Sequence, residues 1–416
     1  PLYKELVYEK QIATDVSAFY YDREIAGMFF LVADVVAGED PATVEKAIDD
    51  VINSFIKKGP NRKLLQAEKT KAVAGFIRGI QRIGGFGGKS DLLATCQTYT
   101  GNPGCYRDTA KYLDEVTPAK MKATFAQWID DTAYVLTILP NEKLGVNDAG
   151  IDRSEGVPYP TEKVSFEFPT LQTATLSNGA KVVLAQRTGV PLVELNFQFN
   201  FGYAQENNDE LGYTNFMMDM LNEGTKKYSS LQFDEALDSL GSNLWLGSGL
   251  DTSYASVSTL KANLSQTLDL AKEALIFPTF PQNEIDRIKK QTLASIIQEE
   301  NRPAAIAYRN IGKLLYGEKQ PYGKPLTGSG ISKTISNINR NDVIAVHNRA
   351  INPANLTFAV AGDIELDVLV EILEDKFGNW SSNSNSNLKE LNTVTLPDSR
   401  RVYLIDKPNA QQSYIV

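Results

Sequence analysis

Three residues near the middle of the chain have the spacing of a metal site on one helix. Asn215 and Asp219 stand four residues apart in the stretch GYTNFMMDMLNEGT, and Met218 directly precedes the second of them. Residues four apart share a helix face, as two metal ligands must, and the neighbouring position suits a general base. An amide is a poor zinc ligand, however, and a thioether cannot take a proton from water. The spacing fits a catalytic metal, but the residue types do not.

Other residues that could do chemistry are sparse. His347 is the only histidine, and it stands in the apolar helical stretch DVIAVHNRAI. This setting favours a packed or half-exposed helix residue over a catalytic one. Because no second histidine or cysteine cluster accompanies it, Ser-His-Asp and Cys-His catalysis have little support.

The two cysteines, Cys96 and Cys105, flank a short turn in CQTYTGNPGC. A disulfide between them would suit an oxidising compartment. We favour the other interpretation, two unpaired thiols that behave as small hydrophobic side chains. Two cysteines without further ligands do not make a zinc site.

The glycine-rich stretch GGFGGKSD resembles a phosphate-binding loop but misses its spacing. The loop G-x-x-x-x-G-K-[ST] requires a glycine at the position that Ile83 occupies. A long predicted helix precedes the stretch, where a strand is needed. We therefore expect a flexible loop and no nucleotide.

Composition excludes further classes of function. The 416 residues carry a formal charge of −9, which argues against nucleic acid as a partner. We find no apolar run near 20 residues, and we therefore expect no membrane span. Both ends look cut, so we expect any compartment signal to lie outside this segment. The compartment stays open, with the bacterial periplasm as a first guess.

The first part of the chain reads as a strand pair followed by helices. Two alternating runs between residues 13 and 38 predict the strands. Capping residues and apolar periodicity predict four helices: DPATVEKAIDDVINSFIKKG, RKLLQAEKTKAVAGFIRGIQRI, SDLLATCQTY and TPAKMKATFAQWID. The run AYVLTILP then predicts a buried strand.

The second part begins with a hairpin on Asn178-Gly179 and the strand VELNFQFNFG. Helices are expected at about 209–222, 230–241, 264–276, 281–301 and 303–316. A late helix NRNDVIAVHNRAI, the strand NLTFAVAGD and a final helix complete it.

The two parts end alike, with a capped helix, a short polar break and an apolar strand, which indicates domain duplication. The predicted fold is α+β, with duplicated modules that each carry a mostly antiparallel sheet covered by helices on one face. The expected boundaries are 1–140, a linker at 141–169, a module at 170–380, a polar linker at 381–398 and a new module from 399 to 416.

Nearly the whole chain resembles the insulinase/pitrilysin-type zinc peptidases, the inverzincins with the motif H-x-x-E-H. The resemblance rests on LSNGAKVVLAQ, on GYTNFMMDMLNEGTKKYSSLQFDEALDSLGSNL, and on PYGKPLTGSGISKTISNINRNDV with INPANLTFAVAGDI. In addition, GGFGGKSDLLATCQTYTGNPGCYRDTAKYLDEVTPAKM resembles the second half of a preceding repeat. The resemblance implies that 1–140 is a second, N-terminally truncated module and 170–380 a third.

By this resemblance, Asn215, Met218 and Asp219 replace the first His, the Glu and the second His of the motif. The third ligand of the family is a Glu on a later helix, and the stretch IIQEENRP offers Glu299 or Glu300. We expect no catalytic residue and no metal site here. A residual site of oxygen ligands for a hard cation at Asn215, Asp219 and Glu300 stays a minor alternative.

Catalytic members also use an Arg and a Tyr, seven residues apart, to hold the peptide and stabilise the oxyanion. The stretch LVYEKQIAT places Val7 and Thr14 at these positions. Neither side chain offers a charged or phenolic donor.

The resemblance therefore implies the non-catalytic middle segment of a long, four-module zinc metalloendopeptidase. Zinc is expected in the missing N-terminal module. The expected partners are a peptide substrate and the other modules of the same protein or a catalytic subunit. The alternative is a structural homologue without proteolysis, like processing-peptidase or respiratory core subunits.

Overall fold

The computed structural model describes residues 1–21, 26–129, 133–138, 169–381, 401–408 and 413–416. The chain divides into two compact units, which are described separately. Unit 1 comprises Pro1–Leu139 and Asp238–Gly241, and unit 2 comprises Pro140–Leu237 and Ser242–Val416.

Unit 1 contains a short antiparallel ribbon and helices. A π-helical turn at Lys4–Glu9 leads into β1 (Ala13–Tyr21), which pairs with β2 (Met28–Val35). The α-helices described in unit 1 are α1 (Pro41–Lys58), α2 (Arg62–Gly79), α3 (Lys89–Thr100), α4 (Tyr106–Glu115) and α5 (Pro118–Trp128). Its small core joins Leu6, Val7, Ile12, Ala13, Val44 and Ala47.

Local sequence explains where these helices begin. The Asp40 side chain accepts a hydrogen bond from the Ala42 N–H at 3.0 Å, and Pro41 occupies the first turn of α1. Thr117 caps α5 in the same way. A side-chain acceptor satisfies an N–H that the helix leaves without a partner, and proline has no N–H to satisfy. Sequence analysis missed α4, whose stretch YRDTAKYLDE offers few apolar residues to count.

Two expectations for unit 1 are wrong. Cys96 and Cys105 form a disulfide, so the preference for unpaired thiols fails. The turn between α3 and α4 brings the Cα atoms of the two cysteines to 5.4 Å from each other. The run AYVLTILP is not a buried strand either: residues 133–138 form no strand, and Ile138 is 84% exposed.

Unit 2 begins with three strands, β3 (Gln172–Thr175), β4 (Lys181–Gln186) and β5 (Leu192–Phe199). Two helices and a hairpin follow: α6 (Tyr213–Asp219), α7 (Ser230–Ser239), β6 (Asn243–Ser248) and β7 (Ser253–Leu260). The remaining elements are α8 (Leu264–Ile276), α9 (Gln282–Glu299), α10 (Pro303–Tyr316), α11 (Ser332–Asn337), α12 (Arg340–Ala350), β8 (Leu356–Gly362) and α13 (Leu366–Phe377).

The sheet of unit 2 has six strands in the order β3-β4-β8-β5-β7-β6, and only β4 and β8 run parallel among the described pairs. Alternate residues of β5, such as Leu195 and Phe197, are buried, while Glu194 and Gln198, which flank them, are exposed. Alternation with period two places these sets on opposite faces of the sheet. The buried set joins the residues of the helices in one large core. The α+β class with mostly antiparallel sheets is therefore confirmed.

The hairpin of β6 and β7 was not predicted. Its sequence, NLWLGSGLDTSYASVSTL, is rich in serine, threonine and glycine, so apolar alternation is weak. Pairing with β5 buries Ala255 and Val257 nonetheless. Tertiary contacts therefore decide this hairpin, more than the propensities of its residues do.

The predicted linkers at 141–169 and 381–398 lie almost wholly outside the described residues. Residues 401–408 and 413–416 form neither helix nor strand. Among the described helices, none has the length and apolar character to cross a bilayer.

Candidate functional site

Helix α6 carries the motif positions, and a buried carboxylate fixes its first turn. Glu206 accepts hydrogen bonds from the N–H groups of Gly212 at 2.9 Å and Thr214 at 2.7 Å. Burial raises the pKa of Glu206 to about 7, against the opposing effect of these hydrogen bonds and of nearby Lys324. Gly212 has φ 91° and lies against the backbone at Ser329, where a Cβ atom would approach the carbonyl oxygen within 2.7 Å.

Asn215 uses its amide to join two backbone segments. Its Oδ1 accepts a hydrogen bond from the Ser248 N–H at 3.0 Å, and its Nδ2 donates to the Gly328 carbonyl at 3.1 Å. A carboxamide supplies both an acceptor and a donor, so it can bind two backbone groups at once. An imidazole that binds a metal through one nitrogen has only the other nitrogen left for a hydrogen bond. The residue therefore ties the end of β6 to the loop that follows α10.

Met218 lies on the other side of α6, inside the core. It is fully buried with Phe216 and Met217 among the apolar side chains of unit 2. A carboxylate at this position would be surrounded by hydrocarbon. The residue at the general-base position of the motif is thus enclosed by apolar side chains, in a place unsuited to activating a water molecule.

Asp219 faces a recess at the surface of unit 2. Loss of solvent around the carboxylate, and then the neighbouring charge of Glu223, raise its pKa to about 7. Glu223 itself accepts hydrogen bonds from Arg287 at 2.5 Å and from Ser230 at 2.7 Å. Arg287 also donates to Glu284 at 2.7 Å. The buried guanidinium of Arg287 is thus shared between Glu223, which lines the recess, and Glu284.

The acids at the end of α9 face elsewhere. Glu300 lies 3.8 Å from the guanidinium of Arg309 and is mostly exposed. Glu299 accepts hydrogen bonds from Arg309 and from Ser329, both at 2.7 Å. Neither acid lines the recess, so the structure does not bring Glu300 to Asn215 and Asp219. These contacts hold the loop near Ser329 in place.

The part of α9 that does face the recess is neutral. Gln291, Thr292 and Ser295 line it from that helix. Sequence analysis missed these three residues because the acids one turn further on matched the expected residue type. The lining residues and the two acids lie on successive turns at the end of α9, and residue type alone does not tell which turn faces the recess.

The recess has a volume of about 720 Å³. Five consecutive residues of β6, Leu244–Ser248, form one wall, and β6 is the end strand of the described sheet. The opposite walls come from α6 and α9. An end strand presents backbone N–H and C=O groups that no neighbouring strand has taken. The recess therefore combines polar side chains with a strand edge that no described strand occupies, although Asn215 already binds the Ser248 N–H there.

The second pair of motif positions lies in unit 1, apart from this recess. Val7 is buried in the π-helical turn Lys4–Glu9. The Thr14 hydroxyl donates to the Asp34 carbonyl at 3.2 Å across the β-ribbon. Both residues have structural contacts and no ligand-binding group.

His347 is a packed residue, as predicted. Its Nε2 lies 2.9 Å from the Leu275 carbonyl oxygen, and its ring meets Phe280 edge to face at 5.5 Å. Burial lowers the pKa of the imidazole. A neutral ring that donates to a carbonyl accounts for this geometry.

Taken together, the motif positions do not fit zinc. Of the three positions on α6, Asn215 is committed to two backbone groups, Met218 is in the core, and Asp219 alone is an acid. Zinc needs at least three imidazole, thiolate or carboxylate ligands. Within the described ranges, no group of three or more such side chains converges.

Two family models match the chain in succession. The insulinase model, described as peptidase family M16, matches residues 181–329, and the model of the peptidase M16 inactive domain matches residues 337–416. Together they cover more than half of the chain.

Three individual proteins that resemble this chain share 23–26% of its residues over about half its length. An uncharacterized zinc protease of Rickettsia felis is 26% identical over 212 residues, which is 51% of each chain. The non-peptidase homolog YmxG of Helicobacter pylori is 23% identical over 216 residues, or 50% of this chain and 49% of that one. A crystal structure of a peptidase M16 inactive domain from Pseudomonas fluorescens is 26% identical, covers 54% of each chain and superposes with a TM-score of 0.49. The chain thus spans about half the length of the curated relatives that it matches.

Proposed function

We propose that this chain, which belongs to the insulinase family of peptidases, M16, is a non-catalytic middle segment of a longer zinc metalloendopeptidase. In this proposal, unit 2 of the chain forms a wall of the peptide-binding chamber. The observation that carries this proposal is the site around α6. It keeps a recess and an open strand edge, while the metal-binding chemistry has been replaced by structural hydrogen bonds.

The recess supports the proposed wall role in two ways. The free edge of β6 offers backbone groups to an extended peptide, the mode of recognition called strand addition. Asp219, Gln291 and Ser295 offer polar contacts beside it. A chamber wall needs contacts of this kind but no ligand for zinc. Zinc would then be bound by a module that precedes unit 1, and the chain boundaries near 140 and 170 would separate the modules.

A structural homologue without proteolysis is the second candidate. It is supported by the similarity to the non-peptidase homolog of Helicobacter pylori. The geometry of α6 fits this reading equally well, because neither candidate assigns catalysis to Asn215 or Met218. The two candidates differ in the activity of the longer gene product.

Peptide cleavage and bound zinc separate the candidates. We expect the 416-residue chain to cleave no quenched fluorescent peptide and to bind no stoichiometric zinc. The product of the whole gene is expected to bind one zinc ion and to cleave peptides until a chelator is added. A whole product without zinc and without cleavage would favour the structural homologue, and chelator-sensitive cleavage by the 416-residue chain would overturn the proposal.

The wall role is tested by filling the recess in the whole gene product. Ser295→Trp places an indole inside it, whereas Gln298→Trp places one on the same helix outside the set of lining residues. We expect Ser295→Trp to raise the KM for peptide several-fold with zinc content unchanged, and Gln298→Trp to change neither. Equal effects of the two variants would show that the recess does not contact the substrate.

A further inference from the structure

The free edge of β6 directs backbone groups outward at every second residue. The Ser248 N–H donates to Oδ1 of Asn215 on α6, so it points away from the partner strand β7. Over Asn243–Ser248 each residue of β6 is paired with one residue of β7, without a bulge. Because the direction of backbone groups alternates along an antiparallel strand, Leu246 and Leu244 point their N–H and C=O groups the same way as Ser248. These two leucines can therefore pair with an added strand.

Asn215 limits where an added strand can pair. Its amide already binds the N–H of Ser248, so backbone hydrogen bonds to the edge are left at Leu246 and Leu244. Both leucine side chains pack against the core on the helix side of the sheet. A residue of an added strand that lies opposite Leu246 points its side chain to that same side, and its two neighbours point to the other face. The register of the added strand is thereby set.

A side chain opposite Leu246 enters the recess, whose walls are partly apolar and partly acidic. Phe216 of α6 and Ile288 of α9 contribute hydrocarbon to these walls. Among the described residues that line the recess, the charged ones are Asp219 and Glu223, and both are acids. A lysine or arginine side chain has a long aliphatic stem and a cationic end, so it matches both kinds of wall. A glutamate in the same place would be repelled by the two carboxylates.

Asp219 is the acid that an incoming cation can reach, because its side chain is exposed. Glu223 already accepts hydrogen bonds from Arg287 at 2.5 Å and from Ser230 at 2.7 Å. The Asp219 carboxylate has neither a hydrogen bond nor an ion pair with any described residue, and Glu223 repels it. A cation beside Asp219 offsets this repulsion, since opposite charges attract at short range. An unpaired carboxylate and a free strand edge thus face the same recess.

Aromatic rings cover the other face of β6 beside the recess. Trp245 is 52% exposed and Tyr254 is 38% exposed. The Tyr254 ring lies over Gly247, where a Cβ atom would come within 2.7 Å of the phenol oxygen. Both aromatic residues also line the recess. Cross-strand pairs of aromatic and β-branched residues stabilise a sheet, so β-branched apolar residues suit the positions on either side of the basic one.

We infer that this recess binds an extended peptide segment in which a lysine or arginine lies opposite Leu246. The cation of that residue pairs with Asp219, and its aliphatic stem lies along the apolar walls. The two neighbouring peptide residues lie on the other face of the sheet, beside Trp245 and Tyr254. Asn215 fixes the register because it occupies the next outward N–H of the strand. The inference rests on the proposed chamber wall and adds the class of side chain that the wall selects.

Three short peptides test the charge preference with the 416-residue chain. The host is acetylated and amidated Thr-Val-Lys-Val-Thr, and norleucine or glutamate replaces its lysine in the other two. Binding is measured by NMR titration at pH 8, where the raised pKa of Asp219, about 7, leaves its carboxylate ionised. We expect the lysine peptide to bind at least about fivefold more tightly than the norleucine peptide, and the glutamate peptide to bind most weakly.

Two matched variants assign the preference to one carboxylate. Asp219→Asn should remove the advantage of lysine over norleucine. Asp367→Asn should keep it, because it removes the same charge from an exposed residue of α13 that does not line the recess. Equal binding of the lysine and norleucine peptides, or a preference that survives Asp219→Asn, overturns the inference. Equal binding that Ser295→Trp abolishes still supports the wall role, whereas failure of all three peptides to bind contradicts the inference and the wall role together.

Amide hydrogen exchange of the chain with the lysine peptide measures the register. At saturation we expect the amides of Leu244 and Leu246 to exchange at least about tenfold more slowly, because their N–H groups gain a partner. The amide of Trp245 points toward β7 and is expected to keep its rate. An unchanged rate at Leu246 in the presence of bound peptide overturns the inference.

Discussion

The two units of this chain end in the same order of elements, yet they treat the final apolar run in opposite ways. In unit 2 the run is the central strand β8, which has neighbours on both sides. In unit 1 the run at 133–138 forms no strand and is exposed. Their sequences do not explain this difference, since both alternate apolar residues after a capped helix. In unit 2 the strand β5 lies between β8 and the β6–β7 hairpin, and the described residues of unit 1 contain no strand in the corresponding place.

The cores follow from this difference. The buried side chains of unit 2 include Phe197, Phe358 and Phe377, whose rings meet at 5.1 to 5.7 Å. Within the described part of unit 1, no aromatic residue is buried. A small core offers less stabilisation, and covalent links then matter more. The disulfide lies in the unit that has the smaller core.

The largest effect is expected from truncating the final run in each unit. Phe358→Ala removes a buried ring and is expected to lower the free energy of unfolding of unit 2 by about 3–5 kcal/mol. Leu136→Ala in unit 1 is expected to change it by no more than about 0.5 kcal/mol, because exposed side chains lose little on truncation. Urea denaturation followed by tryptophan fluorescence measures both. Similar losses for the two variants would break the comparison between the units.

Loss of the disulfide is the next largest effect, and it is confined to unit 1. Cys96 and Cys105 are separated by nine positions, and the entropy of closing such a loop predicts a loss of about 2–3 kcal/mol on removal. The double variant Cys96→Ala/Cys105→Ala should therefore lower the unfolding midpoint of unit 1. The midpoint of unit 2 in the same trace serves as the internal control. A shift in both midpoints would show that the units unfold together.

A smaller effect is expected from truncating one motif position in each unit, Asn215 in unit 2 and Thr14 in unit 1. Asn215→Ala leaves the Ser248 N–H and the Gly328 carbonyl without their partner, which is expected to cost about 2 kcal/mol. Thr14→Ala in unit 1 removes one hydrogen bond at a half-exposed site and is expected to cost under about 1 kcal/mol. Thermal unfolding of both variants measures the two losses of stability. If Asn215→Ala costs no more than Thr14→Ala, the amide is not a structural tie.

Much of the fold was predictable because the signals are local. Caps such as Thr117 and the Asn178-Gly179 turn fix where elements begin, and the periodic apolar residues of β5 specify a half-buried strand. The run at 133–138 was mispredicted for a reason that no local pattern contains. In unit 2 the corresponding run is buried between β4 and β5, whereas no described strand of unit 1 pairs with residues 133–138. The hairpin of β6 and β7 shows the reverse case: its apolar alternation is weak, yet it forms strands because β7 pairs with β5.

The site was predictable in position but not in contacts. The spacing of Asn215 and Asp219 located the helix and its missing chemistry. The roles of the side chains required the structure, because Asn215 binds backbone groups that are distant in sequence. Glu300 was chosen by residue type, whereas the turn of α9 that faces the recess contains Ser295. The capping carboxylate of Glu206 gave no signal, since an acid in a loop is ordinarily exposed.

The smallest effect is a pH dependence that belongs to unit 2, where Glu206 lies. Burial raises the pKa of Glu206 to about 7 in the folded protein, while an unfolded Glu titrates near its model value of 4.5. The folded state therefore binds the proton more tightly, so this residue stabilises the fold below pH 4.5 and the stabilisation is lost as the pH rises through 7. Between pH 6 and 7.5 we expect the free energy of unfolding of unit 2 to fall by about 1 kcal/mol. The pKa of Asp219 is raised as well, but its side chain is exposed to solvent, which weakens its contribution to stability, so Asp219→Asn is the matched control. Glu206→Gln should flatten most of the slope, whereas Asp219→Asn should leave the contribution of Glu206 in place. A slope as steep in Glu206→Gln as in the unmodified chain, measured by urea titrations across this range, would show that the carboxylate stays ionised while it caps α6.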